Sequence, residues 1–148
     1  MIGVAVADYR FIDHTGDFGL ELEAADLGEV FAGVARAFAD LLTDGPDLVA
    51  AQEARELTVS GLDAPDLLVA FANELLYLFE VEGFLCARFE PTRASPSEVA
   101  GTCFGEPYDP ARHTIARPVK AVTHHAVRCE PARPSEGDGW RARLIFDL

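Results

Sequence analysis

The residues best suited to chemistry cluster early in the chain. Between Phe11 and Leu20 the sequence FIDHTGDFGL sets Asp13, His14, Thr15 and Asp17 within five positions, between an apolar pair and a run that alternates apolar and polar residues. That pattern predicts a loop leading into a strand, with Gly16 where a tight turn needs a positive φ or a close backbone approach. Two chemistries fit. One is an Asx or Ser/Thr turn whose side chains satisfy local backbone N–H groups. The other is a hard-cation or acid–base site, in which Asp17 is the residue to watch because the adjacent strand can fix its carboxylate.

Three later segments carry comparable residue types. Gly105-Glu106-Pro107-Tyr108-Asp109, with His113 four positions on, reads first as turn chemistry, since Asp109-Pro110 is a common turn starter. In Val119-Lys120-Ala121-Val122-Thr123-His124-His125, strand alternation would put Lys120, Val122 and His124 on one face and Ala121, Thr123 and His125 on the other. The two adjacent histidines therefore cannot share one metal from a regular strand. Lys120 is the single lysine beside 11 arginines, so its compact ammonium suits a site that Arg would not fit, or simply solvent. At the carboxyl terminus, Trp140, Ala142, Leu144 and Phe146 alternate with Arg141, Arg143, Ile145 and Asp147. If this strand neighbours the one after Asp17, then Asp17, Asp147 and the terminal carboxylate of Leu148 converge, an oxygen-donor set suited to Ca²⁺, Mg²⁺ or Mn²⁺ and not to Zn²⁺.

The elements that must position these groups are readable from periodicity. Phe18, Leu20, Leu22 and Ala24 alternate with polar residues, a strand with one wet face. Asp26 followed by Glu29 is a capping-box pair, and Leu27, Val30, Phe31, Val34, Ala35, Phe38, Leu41 and Leu42 recur at helical spacing up to the breaker Asp44-Gly45-Pro46. After a loop from Asp47 to Ala54, Arg55 to Ser60 alternate again, with Leu57 and Val59 inward. A second helix runs from N-cap Asp63 to about Glu82 and is closed by Gly83, its stripe being Leu67, Leu68, Phe71, Ala72, Leu75, Leu76 and Phe79. Asn73 falls at its flank and reads as solvated or capping. Strands are expected at Phe84 to Glu90, Glu98 to Gly105, Val119 to Glu130 and Trp140 to Leu148, separated by Pro/Ser-rich and Pro/Gly/Ser-rich loops. The class is α+β: two amphipathic helices packed on one face of a mixed, largely antiparallel sheet.

Composition bounds the function. A chain of 148 residues that is 49% hydrophobic can bury a core, and a single domain covering 1–148 is expected. Twelve basic against 25 acidic residues leave a net charge of −13, which repels phosphate backbones and argues against direct nucleic-acid binding. Cys86, Cys103 and Cys129 are widely spaced and lie in apolar segments, so they read as buried reduced thiols and indicate neither a disulfide framework nor a zinc site. MIGVAVA has no basic start and reaches Asp8 after seven residues, and no later apolar run is long enough to span a membrane. A soluble cytoplasmic protein is expected.

Taken in order, FIDHTGDFGL, FADLLTD, LLVAFANELLYLFEVEGF, GEPYD with His113, VKAVTHH and the last strand closing on Asp147-Leu148 resemble the archease family over nearly the whole chain. The family pattern DHTAD is DHTGD here, and its K-A-[VI]-T-Y-H is KAVTHH, so His124 stands where the family has Tyr. The resemblance implies a partner protein and not a self-sufficient enzyme. Archeases act with the GTP-dependent RNA ligase of tRNA splicing and RNA repair, promoting guanylylation of the ligase histidine and permitting multiple turnover. The residues matching the family's metal-binding acidic positions are Asp17, Asp147 and terminal Leu148, with His14, Lys120 and His125 as supporting candidates. A divalent ion (Ca²⁺, Mg²⁺ or Mn²⁺) is the implied cofactor, and the acidic surface suits docking on a basic RNA-binding partner. Two alternatives stand beside this reading: a stand-alone metal-dependent hydrolase using Asp17 with His14 or His125, and a small chaperone or adaptor without a metal role.

Overall fold

The computed structural model describes residues 8–14, 17–45, 48–132 and 139–148, with Asp13 and His14 described in backbone only. The proposed turn at Thr15-Gly16, the breaker residue Pro46 and most of the loop before Gly139 lie outside the described residues. In chain order the elements are β1 (Asp8–His14), β2 (Asp17–Ala24), α1 (Leu27–Thr43), β3 (Glu53–Ser60), α2 (Ala64–Glu80), β4 (Phe84–Ala94), β5 (Glu98–Pro107), β6 (Ala121–Pro131) and β7 (Trp140–Asp147).

Both helices start as their caps dictate. The Asp26 carboxylate accepts the Glu29 N–H at 2.9 Å, and Glu29 reaches back to accept the Ala25 N–H at 2.7 Å, so orphan donors at the helix start are satisfied reciprocally. Asp63 accepts the Asp66 N–H at 2.9 Å, and Pro65 in the first turn gives up no needed hydrogen bond. α1 ends on Asp44 in the left-handed region (φ 60°), its N–H bonded to the Asp40 carbonyl. α2 ends at Glu80, two residues before the end expected at about Glu82, with Gly83 (φ 63°) turning the chain into β4.

The α+β class holds, with every strand pairing among the described residues antiparallel, but the strands divide between two sheets, ordered β1-β2-β7-β6 and β3-β5-β4. α1 packs on β4 and β2, and α2 on β6 and β4, so each helix contributes to both sheets. Their shared core contains an edge-to-face run of rings, Phe31 to Phe71 at 5.1 Å and Phe71 to Phe89 at 4.9 Å, with Phe38 beside Phe146 on β7. Close pairing of β4 and β5 depends on Gly105, where a Cβ would fall 1.8 Å from the Leu85 carbonyl oxygen. All three cysteines are buried and free, as expected; burial pushes the Cys129 thiol up to about 12.

Three elements differ from the sequence reading. β1 extends through His14, so Asp13 and His14 belong to a strand and not to the loop expected for them. β4 continues past Glu90 to Ala94 through Pro91, which an edge strand tolerates at a register shift because no ladder hydrogen bond from that nitrogen is needed. β6 is broken by a register shift between Thr123 and Arg128, with Ala126 at φ 55°. Strand parity therefore cannot be carried across it.

Candidate functional site

The four-stranded sheet buries Leu20, Leu22, Ala142, Leu144 and Phe146 against the helices, and its other parity forms an outer face. On that face β2 and β7 lie side by side, and their register sets Asp17 directly opposite Asp147. The same row continues to His14 on β1 and to Ala121 on β6. The conditional adjacency of the first and last wet-faced strands is thus met. Asp17 is half-buried and Asp147 exposed.

Backbone hydrogen bonding fixes the spacing of this pair. The Asp147 carbonyl accepts the Lys120 N–H at 2.7 Å, so the polar backbone groups of Asp147 turn toward β6 and away from β2. Asp17 and Asp147 therefore form a pair that exchanges no hydrogen bonds, the arrangement in which Cα atoms approach to about 4.5 Å and side chains come closest. Two like charges so placed are destabilising unless something neutralises them. Hard cations such as Ca²⁺ are bound by carboxylate oxygens at about 2.3–2.6 Å, which is the chemistry an aspartate pair offers. Among the described residues no group of three or more His, Cys, Asp or Glu side chains is arranged to hold a metal ion.

The supporting candidates separate. His14 shares the Asp17 row by backbone register. Lys120 precedes β6, exposed, with its amide on Asp147. His125 sits exposed in the bulged segment, its N–H donating to Thr123 Oγ1 at 3.3 Å. His124, at the position of the family Tyr, contacts the Asp66 carboxylate at 2.9 Å, where it and the Leu62 N–H lower the acid's pKa, the Leu62 bond contributing most. Asn73 is neither solvated nor capping. Its amide donates to the Val122 carbonyl at 3.0 Å and accepts the Val122 N–H at 3.1 Å, tying α2 to the start of β6 beside the site.

A second polar cluster was not legible as more than a turn. Glu106 is 1% exposed, and its carboxylate accepts from the Ala50 N–H (2.7 Å), His113 Nε2 (2.9 Å) and Arg112 (2.6 Å). His113 Nδ1 accepts the Asp109 N–H, so Nε2 carries the proton given to Glu106. Burial raises the acid's pKa, and the Ala50, His113 and Arg112 interactions overcome it to hold Glu106 at about 2. Both carboxylate oxygens are used, and this cluster ties the end of β5 and the loop after it to the segment entering β3.

A two-helix α+β protein with a cross-strand aspartate pair at one end of a four-stranded antiparallel sheet is the class that fold and site define. Residues 9–148 match the model of the Archease protein family (MTH1598/TM1083), and the chain belongs to that family. It is 32% identical to the archease of Methanosarcina acetivorans, over 95% of each chain, and 34% identical to that of Methanopyrus kandleri, over 93% of this chain and 96% of the relative. The solution structure of Methanobacterium thermoautotrophicum protein 1598 superimposes with a TM-score of 0.72 at 28% identity, covering 95% of this chain and 98% of the other. A crystal structure from Thermotoga maritima, described as an archease and possible chaperone, shares the fold with a TM-score of 0.64 at 19% identity, over 93% and 94% of the two chains.

Proposed function

We propose that this archease acts as a protein cofactor of a GTP-dependent RNA ligase in the cytoplasm, promoting ligase guanylylation and multiple turnover in tRNA splicing or RNA repair. Family membership supports the role, and the observation that carries the site assignment is the cross-strand register of Asp17 with Asp147. Asp17, Asp147 and the terminal carboxylate of Leu148 would hold a divalent ion, Ca²⁺, Mg²⁺ or Mn²⁺ by their oxygen chemistry. When bound, such an ion would supply positive charge to the phosphates of GTP. The chain's own part is positional. The β2–β7 ladder fixes both carboxylates on rigid strands, the Lys120 amide anchors Asp147 from the β6 side, and Asn73 holds the strand that follows.

Guanylylation of the cognate ligase, measured with and without catalytic amounts of this protein, tests the role: a faster reaction is expected, and an unchanged rate under multiple turnover overturns it. Hydrolysis of generic phosphoesters by the pure protein would instead support the hydrolase alternative. The description of the Thermotoga protein as a possible chaperone favours one further reading, an adaptor without a metal role. That reading requires stimulation to survive loss of Asp17.

A further inference from the structure

The outer face of the four-stranded sheet changes character along its strands. About four residues along β2 from Asp17, roughly 13 Å at strand rise, the cross-strand row reads Arg10, Glu21, Arg143, Arg128, and the next row sets Glu23 opposite Arg141. Arg10, Arg128, Arg141 and Arg143 line one cavity of about 200 Å³ together with Glu21 and Glu23. Four of the chain's eleven arginines therefore converge in one place on a protein whose net charge is −13.

Glu21 organises two of them. Its carboxylate, 18% exposed, accepts Arg10 through Oε1 at 2.6 Å and Arg143 Nε through Oε2 at 3.0 Å, so one anion fixes two guanidiniums on the same wall. Arg128 is held from its own strand by Glu130 at 3.2 Å. Among the described residues the four guanidiniums line the cavity beside two carboxylates, Glu21 and Glu23. Each guanidinium carries five N–H donors, and the contacts to Glu21 consume a minority of those on Arg10 and Arg143. Fixed, planar, donor-rich forks are the geometry that binds phosphate oxygens.

We propose that this cavity binds the phosphate group of a small ligand, a phosphate monoester or polyphosphate, at a site distinct from the Asp17–Asp147 pair. Its volume admits one such group with its water, whereas the surrounding negative charge disfavours a polymer backbone. The ligand class follows from the arginines alone and does not rest on the ligase reading.

The test is a calorimetric titration of the full chain with pyrophosphate at low ionic strength, alongside Arg10→Gln/Arg128→Gln, Arg128→Gln and Asp17→Asn variants. Arg10 and Arg128 have side chains 71% and 52% exposed, so both variants should melt with the parent. Saturable binding is expected, weakened at least fivefold in the double variant, less in the single one, and unchanged in Asp17→Asn. No saturable binding at 10 mM pyrophosphate (about the weakest affinity of interest for a free phosphate ligand), or equal affinity in the double variant, overturns the proposal. Tighter binding of a homopolymeric RNA oligonucleotide than of pyrophosphate would also overturn it, by making the face a backbone-binding surface.

Discussion

Replacing Glu106 with Gln should destabilise the protein by an amount that depends on pH in a calculable way. The carboxylate is buried, both oxygens are occupied, and its pKa is held at about 2 against an ordinary value of 4.5. Because the folded pKa is the lower one, the unfolded chain takes up the proton first. The stabilisation is fully present above pH 4.5 and is lost as pH falls toward 2. At about 1.36 kcal/mol per unit, the difference amounts to about 3 kcal/mol at neutral pH. Gln keeps one acceptor and turns an NH₂ toward donors that have lost their partner, so the variant should lose about 2–4 kcal/mol at pH 7. At pH 3 the native carboxylate is still largely ionised while the unfolded one is mostly protonated, and the gap between parent and variant should shrink by about 2 kcal/mol. Urea denaturation of both proteins at the two pH values reads this directly, since titrations common to both cancel. A gap that does not change with pH would refute the assignment of the depressed pKa to Glu106.

Other outcomes follow from the packing and the site. Leu75→Ala opens a cavity where α2 meets the sheets and should cost about 2–5 kcal/mol, visible as a lower melting temperature; an unchanged one would mean that Leu75, 2% exposed, contributes nothing to the core. Asn73→Ala strips partners from both backbone groups of Val122 and should cost about 1–3 kcal/mol, with faster amide exchange at Val122 as its signature. A carboxyl-terminal extension converts the Leu148 carboxylate to a peptide carbonyl and should weaken divalent-ion binding by calorimetry, while an amino-terminal one should not; equal affinities would remove Leu148 from the site.

Local signals carried the reading furthest. Asp26 with Glu29, and Asp63 with Asp66, mark helix starts because capping involves residues within one turn of each other. The alternation in β2 and β7 was equally plain, which is why Asp17 and Asp147 could be named before their strands were known to pair. What escaped depends on distant partners. Strand alternation alone does not say that the seven strands of the described residues split into two sheets. Nor does it say that Ala126 takes a positive φ and breaks the parity of β6, or that Ile145, on the outer face, is covered to 3% exposure beside Gly19. Glu106 was read as turn chemistry because its partner at Ala50 lies 56 residues away. The arginine cavity was missed for the same reason, its lining coming from β1, β2, β6 and β7.

The Asp17–Asp147 site is tested most directly by one comparison: multiple-turnover RNA joining by the cognate ligase, with substoichiometric amounts of the parent protein or of Asp17→Asn at equal folded concentration. Asp17 is half-buried on a sheet edge row opposite a like charge, so its neutralisation should leave the melting temperature unchanged or slightly raised in the absence of metal. The parent is expected to stimulate repeated guanylylation and the variant to lose that stimulation. Full stimulation by a folded Asp17→Asn protein would contradict the central claim that the Asp17–Asp147 pair is the working site.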